Sequence, residues 1–348
     1  EVHCFAWDKD AVCKEVADFF YPISIFDKEL ILDKCKEIGI NGICTIASDV
    51  SAPTVAYVAE KLQLNGNTYE SACRANNKFQ MRKALERNGI PCPKYRCVTD
   101  PIEIESLDWK YPLIVKPSDR SGSLGVTKIE GNNDLIDAVT KAVDLSFKGE
   151  AMVEEYIDGR EISVEFISYH GTHYPLQITD KVTTEAPHFV ELEHHQPANL
   201  SQAQFQEIYQ TTKRALDALG LTEGASHSEF RITNDGEIIV MEIGGRMGGD
   251  FIGSDLVKLS TGYDFVKGVI QVALNEFEIP EKNANNHSGV YFLCKETENL
   301  LPVFAHPNKY QEIKVIERTT TELKTVECSA DRSGYFIYQA LYKFSYER

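Results

Sequence analysis

Apolar residues recur along this chain at two spacings, one helical and one alternating. Residues 2–7 and 42–46 read as strands, and 28–38 and 53–62 as amphipathic helices. Strand and helix therefore alternate up to about Gly66, the order that favours a parallel sheet. The stretch NNKFQMRKALERNGIPCP has a helical repeat that Gly89, Pro91 and Pro93 bring to a stop. YPLIVKPSDRSGSLGVTKI predicts two strands joined by a Ser/Gly loop, followed by a helix over 132–147 and a strand in AMVEEYI. REISVEFISYHGTHYPLQITDKV predicts further strands that turn at Gly171. Residues 183–200 lack periodicity, hold three of the nine histidines and are expected to form a loop. A long helix over 201–219, a hairpin and a helix over 264–275 follow. Beyond the polar stretch IPEKNANNHSG, the chain from Val290 is rich in strand formers.

The hairpin, GASHSEFRITNDGEIIVMEIGGRMGGD over 224–250, poses a charge problem. A turn centred on Asp235-Gly236, a strong hairpin dipeptide, pairs Glu229 with Glu242, His227 with Gly244 and Arg231 with Val240. Alternation then buries Phe230, Ile232, Ile239, Met241 and Ile243 on the opposite face. Like charges directly across a ladder repel, so the two glutamates need a cation. Either Arg231 neutralises both, or the carboxylates hold Mg²⁺, which commonly takes one or two carboxylates plus substrate phosphates. Arg246 follows in GGRMGGD, where glycines leave room for a ligand.

Two further segments carry chemistry. In KPSDRSGSLGV, Lys116 ends a strand ahead of Ser121, Gly122, Ser123 and Gly125. Glycines and small hydroxyls let backbone N–H groups close over phosphate oxygens, and a lysine adds a point charge. The lysine precedes the glycines, so this is no Walker-type loop; read alone, a Ser/Gly turn between strands is more often a plain hairpin. In VEEYIDGREISVE, Glu154 and Glu155 end an apolar strand and Glu161 follows the Gly159 turn. Such a strand end can present hydrogen-bonding groups to an adenine edge and a ribose, or can simply be a solvated acidic edge.

Composition narrows the classes. The 348 residues allow two or three domains, and 43% apolar with 26% charged residues is ordinary for a folded chain. A net charge of −17 argues against nucleic-acid partners and against an anionic membrane surface. An anionic substrate then needs a local cationic pocket or a metal. Nine scattered cysteines without a C-x-x-C pair suit reduced thiols in a cytoplasm. No run approaches 18 apolar residues and no signal peptide is visible. Glu1 already lies in a strand-like run, so the chain is expected to begin partway through a domain.

Taken in order, the phosphate-cradling loop, the adenine-type strand and the two-glutamate hairpin ending in arginine resemble the ATP-grasp superfamily over about residues 76–265. The nearest likeness is to biotin-carboxylase-like ligases and L-amino-acid ligases. The resemblance implies two α+β lobes gripping ATP over 76–282, with a small lobe at about 111–157. It also implies a Rossmann-like α/β domain over 1–75, lacking its first strand and helix, and a small β-rich segment over 283–348. By motif it makes Lys78 and Lys116 phosphate ligands and Ser121–Gly125 the loop over the phosphates. Glu154, and the backbone of Glu155 to Ile157, become the adenine hinge and Glu161 the ribose ligand. Glu229 and Glu242 become ligands of Mg²⁺, or of Mn²⁺ in its place, and Arg246 the holder of the reacting carboxylate and acyl-phosphate. One departure is Gly244, where many relatives place a metal-binding asparagine; it leaves the number of ions open.

The implied reaction activates a carboxylate with ATP and joins it to an amine, both small molecules, releasing ADP and phosphate. Lys181, His188, His227 and Asp250 are candidate substrate contacts, and His188, His194, His195 and His227 candidate bases. Bicarbonate activation, as in a carboxylase or carbamoyl-phosphate enzyme, is a second reading. It is disfavoured by the short tail without a second grasp half or a biotinyl Met-Lys-Met segment. A non-catalytic ATP-binding regulator is the third. The sequence leaves the oligomeric state open, a homodimer included.

Overall fold

The computed structural model describes residues 1–9, 11–104, 109–120, 124–184, 186 and 188–346. The N-terminal part pairs β1 (His3–Phe5) with β2 (Phe19–Tyr21) in parallel. Three helices follow, α1 (Lys28–Ile38), α2 (Ala52–Leu62) and α3 (Tyr69–Asn76). Gly39, at φ 73°, ends α1 by donating to Cys35 O, a left-handed cap that glycine adopts without strain. Among the described residues this parallel sheet has only those two strands, so the expected Rossmann-like arrangement is not reproduced. Residues 42–46 join no ladder. They lie against the rest of the chain instead: a Cβ on Gly42 would stand 2.6 Å from Ala273 O, and Ile46 O accepts from Met247 N at 2.9 Å.

Asn77 closes α3 and opens α4 (Lys78–Arg87), its side chain accepting from Gln80 N. A four-stranded antiparallel sheet follows, ordered β3 (Tyr95–Val98), β6 (Ala151–Glu155), β4 (Leu113–Pro117), β5 (Thr127–Ile129). Helix α5 (Leu135–Leu145) covers it, setting Leu135, Val139 and Ala142 against Leu113, Val115, Ile129 and Val153. Each such fully buried Leu, Ile or Val side chain contributes about 1.5–3 kcal/mol.

The large sheet has eight antiparallel strands. They are β7 (Arg160–Tyr169), β8 (Thr172–Thr183), β9 (Glu191–Gln196), β10 (Gly224–Ile232), β11 (Ile238–Gly244), β12 (His287–Leu293), β13 (Ile313–Arg318) and β14 (Gly334–Ala340). Their spatial order is β11-β10-β7-β8-β9-β12-β14-β13. Helix α6 (Gln202–Leu219) opens with a Ser201/Gln204 capping box and closes on Gly220. Its Ile208, Ala215, Leu216 and Leu219 pack on Ile162, Val164, Phe166, Phe230 and Val240. Helices α7 (Val257–Thr261) and α8 (Phe265–Ala273) pack through Val257, Phe265, Val269 and Val272 on Ile167, Leu176 and Ala225. No helix among the described residues is long and apolar enough to cross a membrane.

Strand β9 corrects the loop expected over 183–200. ELEHHQ has no apolar alternation, yet its last three residues are buried in the middle of the sheet. Hydrogen bonds take the place of apolar packing. Gln196 donates to Thr179 Oγ1 and accepts from Ser260 Oγ, both at 2.9 Å, and His195 Nδ1 lies 3.0 Å from Tyr338 Oη. The residues from 283 onward place β12, β13 and β14 on this same sheet rather than forming one of their own.

Candidate active site

A cleft of about 960 Å³ opens between the small sheet and the β10–β11 hairpin. Lys78, Lys116, Gly125, Ile157 and Glu161 line it. So do Glu229, Glu242 and Arg246 from the hairpin region, with Lys181, His188, His227 and Asp250. The backbone thus brings together residues spread over about half the chain. Ser121, Gly122 and Ser123 lie outside the described residues.

Glu229 stands directly opposite Glu242, and His227 opposite Gly244, as the turn position requires. Beyond Glu229 the ladder slips by one: Phe230 pairs with Val240, and Arg231 with Ile239 rather than Val240. This bulge inverts the expected pattern in β11. Ile238 and Val240 go into the core, whereas Ile239 is only half-buried and Met241 lines the cleft. The Met241 carbonyl accepts from Arg82 Nη2 at 2.7 Å.

Cations meet the two glutamates, but Arg231 is not among them. Lys181 Nζ lies 2.7 Å from Glu229 and 2.9 Å from Glu161, with Glu191 at 3.7 Å. Burial pulls Lys181 down, yet the three carboxylates outweigh it and hold its charge well above the ordinary lysine range. Lys78 Nζ lies 2.9 Å from Glu242 and donates to Arg120 O. Arg231 pairs with Glu161 at 3.2 Å and donates to Ile157 O. Glu161, expected to meet a ribose, is therefore held between Lys181 and Arg231. Among the described residues no three His, Cys, Asp or Glu side chains converge to hold an ion.

Glu154 does not face the cleft. Its carboxylate is 1% exposed and receives Arg82 Nε at 2.8 Å and Lys116 Nζ at 2.7 Å. It cannot therefore accept from an adenine amine; what it does is aim Lys116. Burial, with Arg82 and Lys78 nearby, pulls Lys116 below its ordinary value despite Glu154. The Glu155 carboxylate accepts from Lys94 N at 2.8 Å, and of the backbone expected at the hinge Tyr156 and Ile157 line the cleft.

His227 Nδ1 hydrogen-bonds the buried carboxylate of Glu165, and its Nε2 lies 3.3 Å from Glu229. Burial lowers its proton affinity, but Glu165 and Glu229 outweigh burial and push it up to about 9. The two carboxylates thus favour the protonated ring, which weighs against its serving as a base. Asp250 is paired through both oxygens to Arg332 at 2.8 Å, and Arg332 stacks on the Phe292 ring at 3.8 Å. His194 Nε2 lies 3.8 Å from the same carboxylate. Arg246 makes a two-point pair with Asp49, at 2.8 Å each.

Asp49, Arg82, Glu165 and Arg332 were missed in the sequence because each sits far along the chain from the group it serves, and Glu191 because its strand β9 was expected to be a loop. Only Glu165, acidic in the otherwise apolar or small-residue run from Ile162 to Ser168 of β7, carried a visible signal.

Residues 109–255 match the family model described as an ATP-grasp domain. The chain is 27% identical over 277 residues to the alanine–anticapsin ligase of Bacillus subtilis, covering 70% of this chain and 58% of the relative. It is 26% identical over 219 residues to a D-alanine–D-alanine ligase of Francisella philomiragia, covering 62% of this chain and 70% of that protein. The fold aligns with the crystal structure of an L-amino acid ligase from Bacillus licheniformis at a TM-score of 0.82 and 25% identity, over 99% of this chain and 88% of that one. The chain spans a little over half the length of the first curated relatives it matches.

Proposed function

We propose that this chain, a member of the ATP-grasp superfamily, works as an ADP-forming carboxylate–amine ligase. The observation that carries the reading is the convergence of Lys78, Lys116, Glu229, Glu242 and Arg246 on one cleft. Lys78 and Lys116 are suited to nucleotide phosphates, and the loop through Gly125 to covering them. Ile157, at the strand end, lines the cleft where an adenine would lie, with Glu161 beside it.

The donor set fits Mg²⁺. Two opposed carboxylates, each about 30% exposed, leave the remaining positions of an octahedral ion to phosphate oxygens and water. Bound there, Mg²⁺ or Mn²⁺ would offset charge on the transferring phosphoryl group. Lys78 and Lys181, which hold the glutamates in the structure, would then share them with the ion. Arg246 would hold the reacting carboxylate and stabilise the oxyanion formed when the amine attacks the acyl-phosphate. The substrates are a small carboxylate and a small amine, of the amino-acid kind that the relatives' names indicate. Asp250, His188 and Lys181 border the place they would occupy. We divide the chain into an N-terminal segment over 1–75, a grasp region over 76–282 and a C-terminal segment over 283–348, working in a reducing cytoplasm where the nine free thiols stay reduced.

The test is a panel of amino-acid pairs with ATP and magnesium, read by ADP and phosphate release and by hydroxamate formation with added hydroxylamine. Release of AMP and pyrophosphate would overturn the acyl-phosphate route. Arg246→Ala should keep nucleotide affinity and lose hydroxamate formation.

A further inference from the structure

Arg246 is clamped by a residue of the N-terminal segment. Asp49 Oδ1 accepts from Nε and Oδ2 from Nη2, each at 2.8 Å, while Nη1 donates to Met247 O at 2.9 Å. A guanidinium has five N–H donors, so these three contacts leave one on each terminal nitrogen. The pair is largely desolvated, with side chains 15% and 13% exposed. The loop bearing Asp49 is itself braced: Thr45 Oγ1 lies 2.6 Å from Ser51 Oγ, Ser51 Oγ donates to Ser48 O, and Ile46 O accepts from Met247 N.

Gly244 makes the room. A Cβ there would stand 2.7 Å from Asp49 Oδ1 and 3.1 Å from Arg246 Nε. Its φ lies outside the left-handed region, so space rather than backbone conformation requires glycine. The missing side chain on the hairpin and the aspartate from a distant loop thus fit one another, and both line the cleft.

We propose that Asp49 is a positioning residue for Arg246: it fixes the fork so that the two remaining N–H groups meet the reacting carboxylate. This rests on the reading of Arg246 given above. A planar fork held on one edge keeps its other donors in a fixed plane, and misplacement by about 1 Å can cost about a hundredfold in rate. The N-terminal segment then completes the acyl-transfer end of the cleft, although the phosphate ligands come from elsewhere.

The experiment compares Asp49→Asn, Gly244→Ala and Arg246→Lys with the wild-type chain. Expected for Asp49→Asn is a loss of about ten- to a hundredfold in kcat/KM for the carboxylate, with affinity for an ATP analogue within about twofold. Gly244→Ala, which reaches the same pair from the other side, should shift the same parameter in the same direction. The double variant Asp49→Asn/Arg246→Lys should lose little beyond Arg246→Lys alone. A second readout does not need turnover and uses Asp49→Ala, because an asparagine oxygen could still accept from Nε: the Arg246 Nε–H resonance should exchange slowly in the wild type and fast in Asp49→Ala. A folded Asp49→Asn with unchanged or lower KM and unchanged kcat, or a folded Asp49→Ala with a still-protected Nε–H, overturns the proposal. Absence of ADP formation by the wild type with every acid tried overturns the ligase reading instead, and the exchange measurement still decides the role of Asp49.

Discussion

Lys181 Nζ lies 2.7 Å from Glu229 Oε1, so one of the two opposed hairpin carboxylates has a buried ammonium of its own. The same nitrogen serves Glu161 at 2.9 Å. Replacing it by a group of similar length without charge takes the shared cation from Glu229, Glu161 and Glu191 and leaves Arg231 and His227 to serve the first two in part. Lys181→Met is expected to lower stability by about 3–5 kcal/mol, the usual cost of leaving buried charge uncompensated. Urea unfolding at neutral pH measures it. Added magnesium should recover part of the loss if the ion occupies the space between Glu229 and Glu242; recovery of none would place the ion elsewhere.

Removing a hairpin carboxylate has a different signature. Glu229→Gln and Glu242→Gln should each abolish magnesium-dependent turnover. Facing carboxylates alone would gain stability from such a change, but here each has a lysine partner. Both variants are therefore expected to be slightly less stable than wild type without metal, by about 1–3 kcal/mol for a lost charge-assisted hydrogen bond. Melting curves with and without magnesium distinguish the cases. A more stable variant would mean that repulsion outweighs the lysines.

Why part of this site was legible follows from particular residues. The turn at Asp235-Gly236 sets the register near it, and that register places Glu229 opposite Glu242 without any tertiary information. Lys116 and Arg246 were readable because flanking glycines mark where a backbone stays open. The bulge after Glu229 was not readable, since it answers to Arg82, a helix residue whose guanidinium meets the Met241 carbonyl. Glu154 misled for a related reason: an acidic strand end looks solvated until Arg82 and Lys116 are seen to bury it. Strand β9 stayed hidden because its burial relies on histidine and glutamine hydrogen bonds, which leave no hydrophobic period.

Asp250 ties the hairpin's far end to the C-terminal strands. Arg332 grips both its oxygens, and Arg332 Nε donates to Ser329 O. Asp250→Asn should weaken that tie by about 1–3 kcal/mol and raise KM for an amino-acid substrate more than KM for ATP, because Asp250 lines the cleft and pairs with Arg332 rather than with Lys78 or Lys116, the proposed phosphate ligands. Equal changes in the two constants would argue for a purely structural tie.

The buried Arg82–Glu154–Lys116 group makes stability depend on pH in a defined window. Burial by itself would raise the Glu154 carboxyl, but Arg82 and Lys116 outweigh it and hold the group down at about 2, against 4.5 for a free glutamate. A carboxyl depressed by folding stabilises above its unfolded value and loses that contribution as pH falls through its folded value. The contribution is therefore full above pH 4.5 and drains away between 4.5 and about 2, amounting to about 3 kcal/mol. Glu154→Gln lacks this proton-linked contribution and leaves two buried cations short of a partner, so it should be the weaker protein at neutral pH by about 3–5 kcal/mol. Urea midpoints of wild type and Glu154→Gln followed from about pH 7 to about pH 3 should converge as pH falls. Parallel curves would show that Glu154 titrates alike in the folded and unfolded chain, and that the short contacts to Arg82 and Lys116 contribute nothing to its charge.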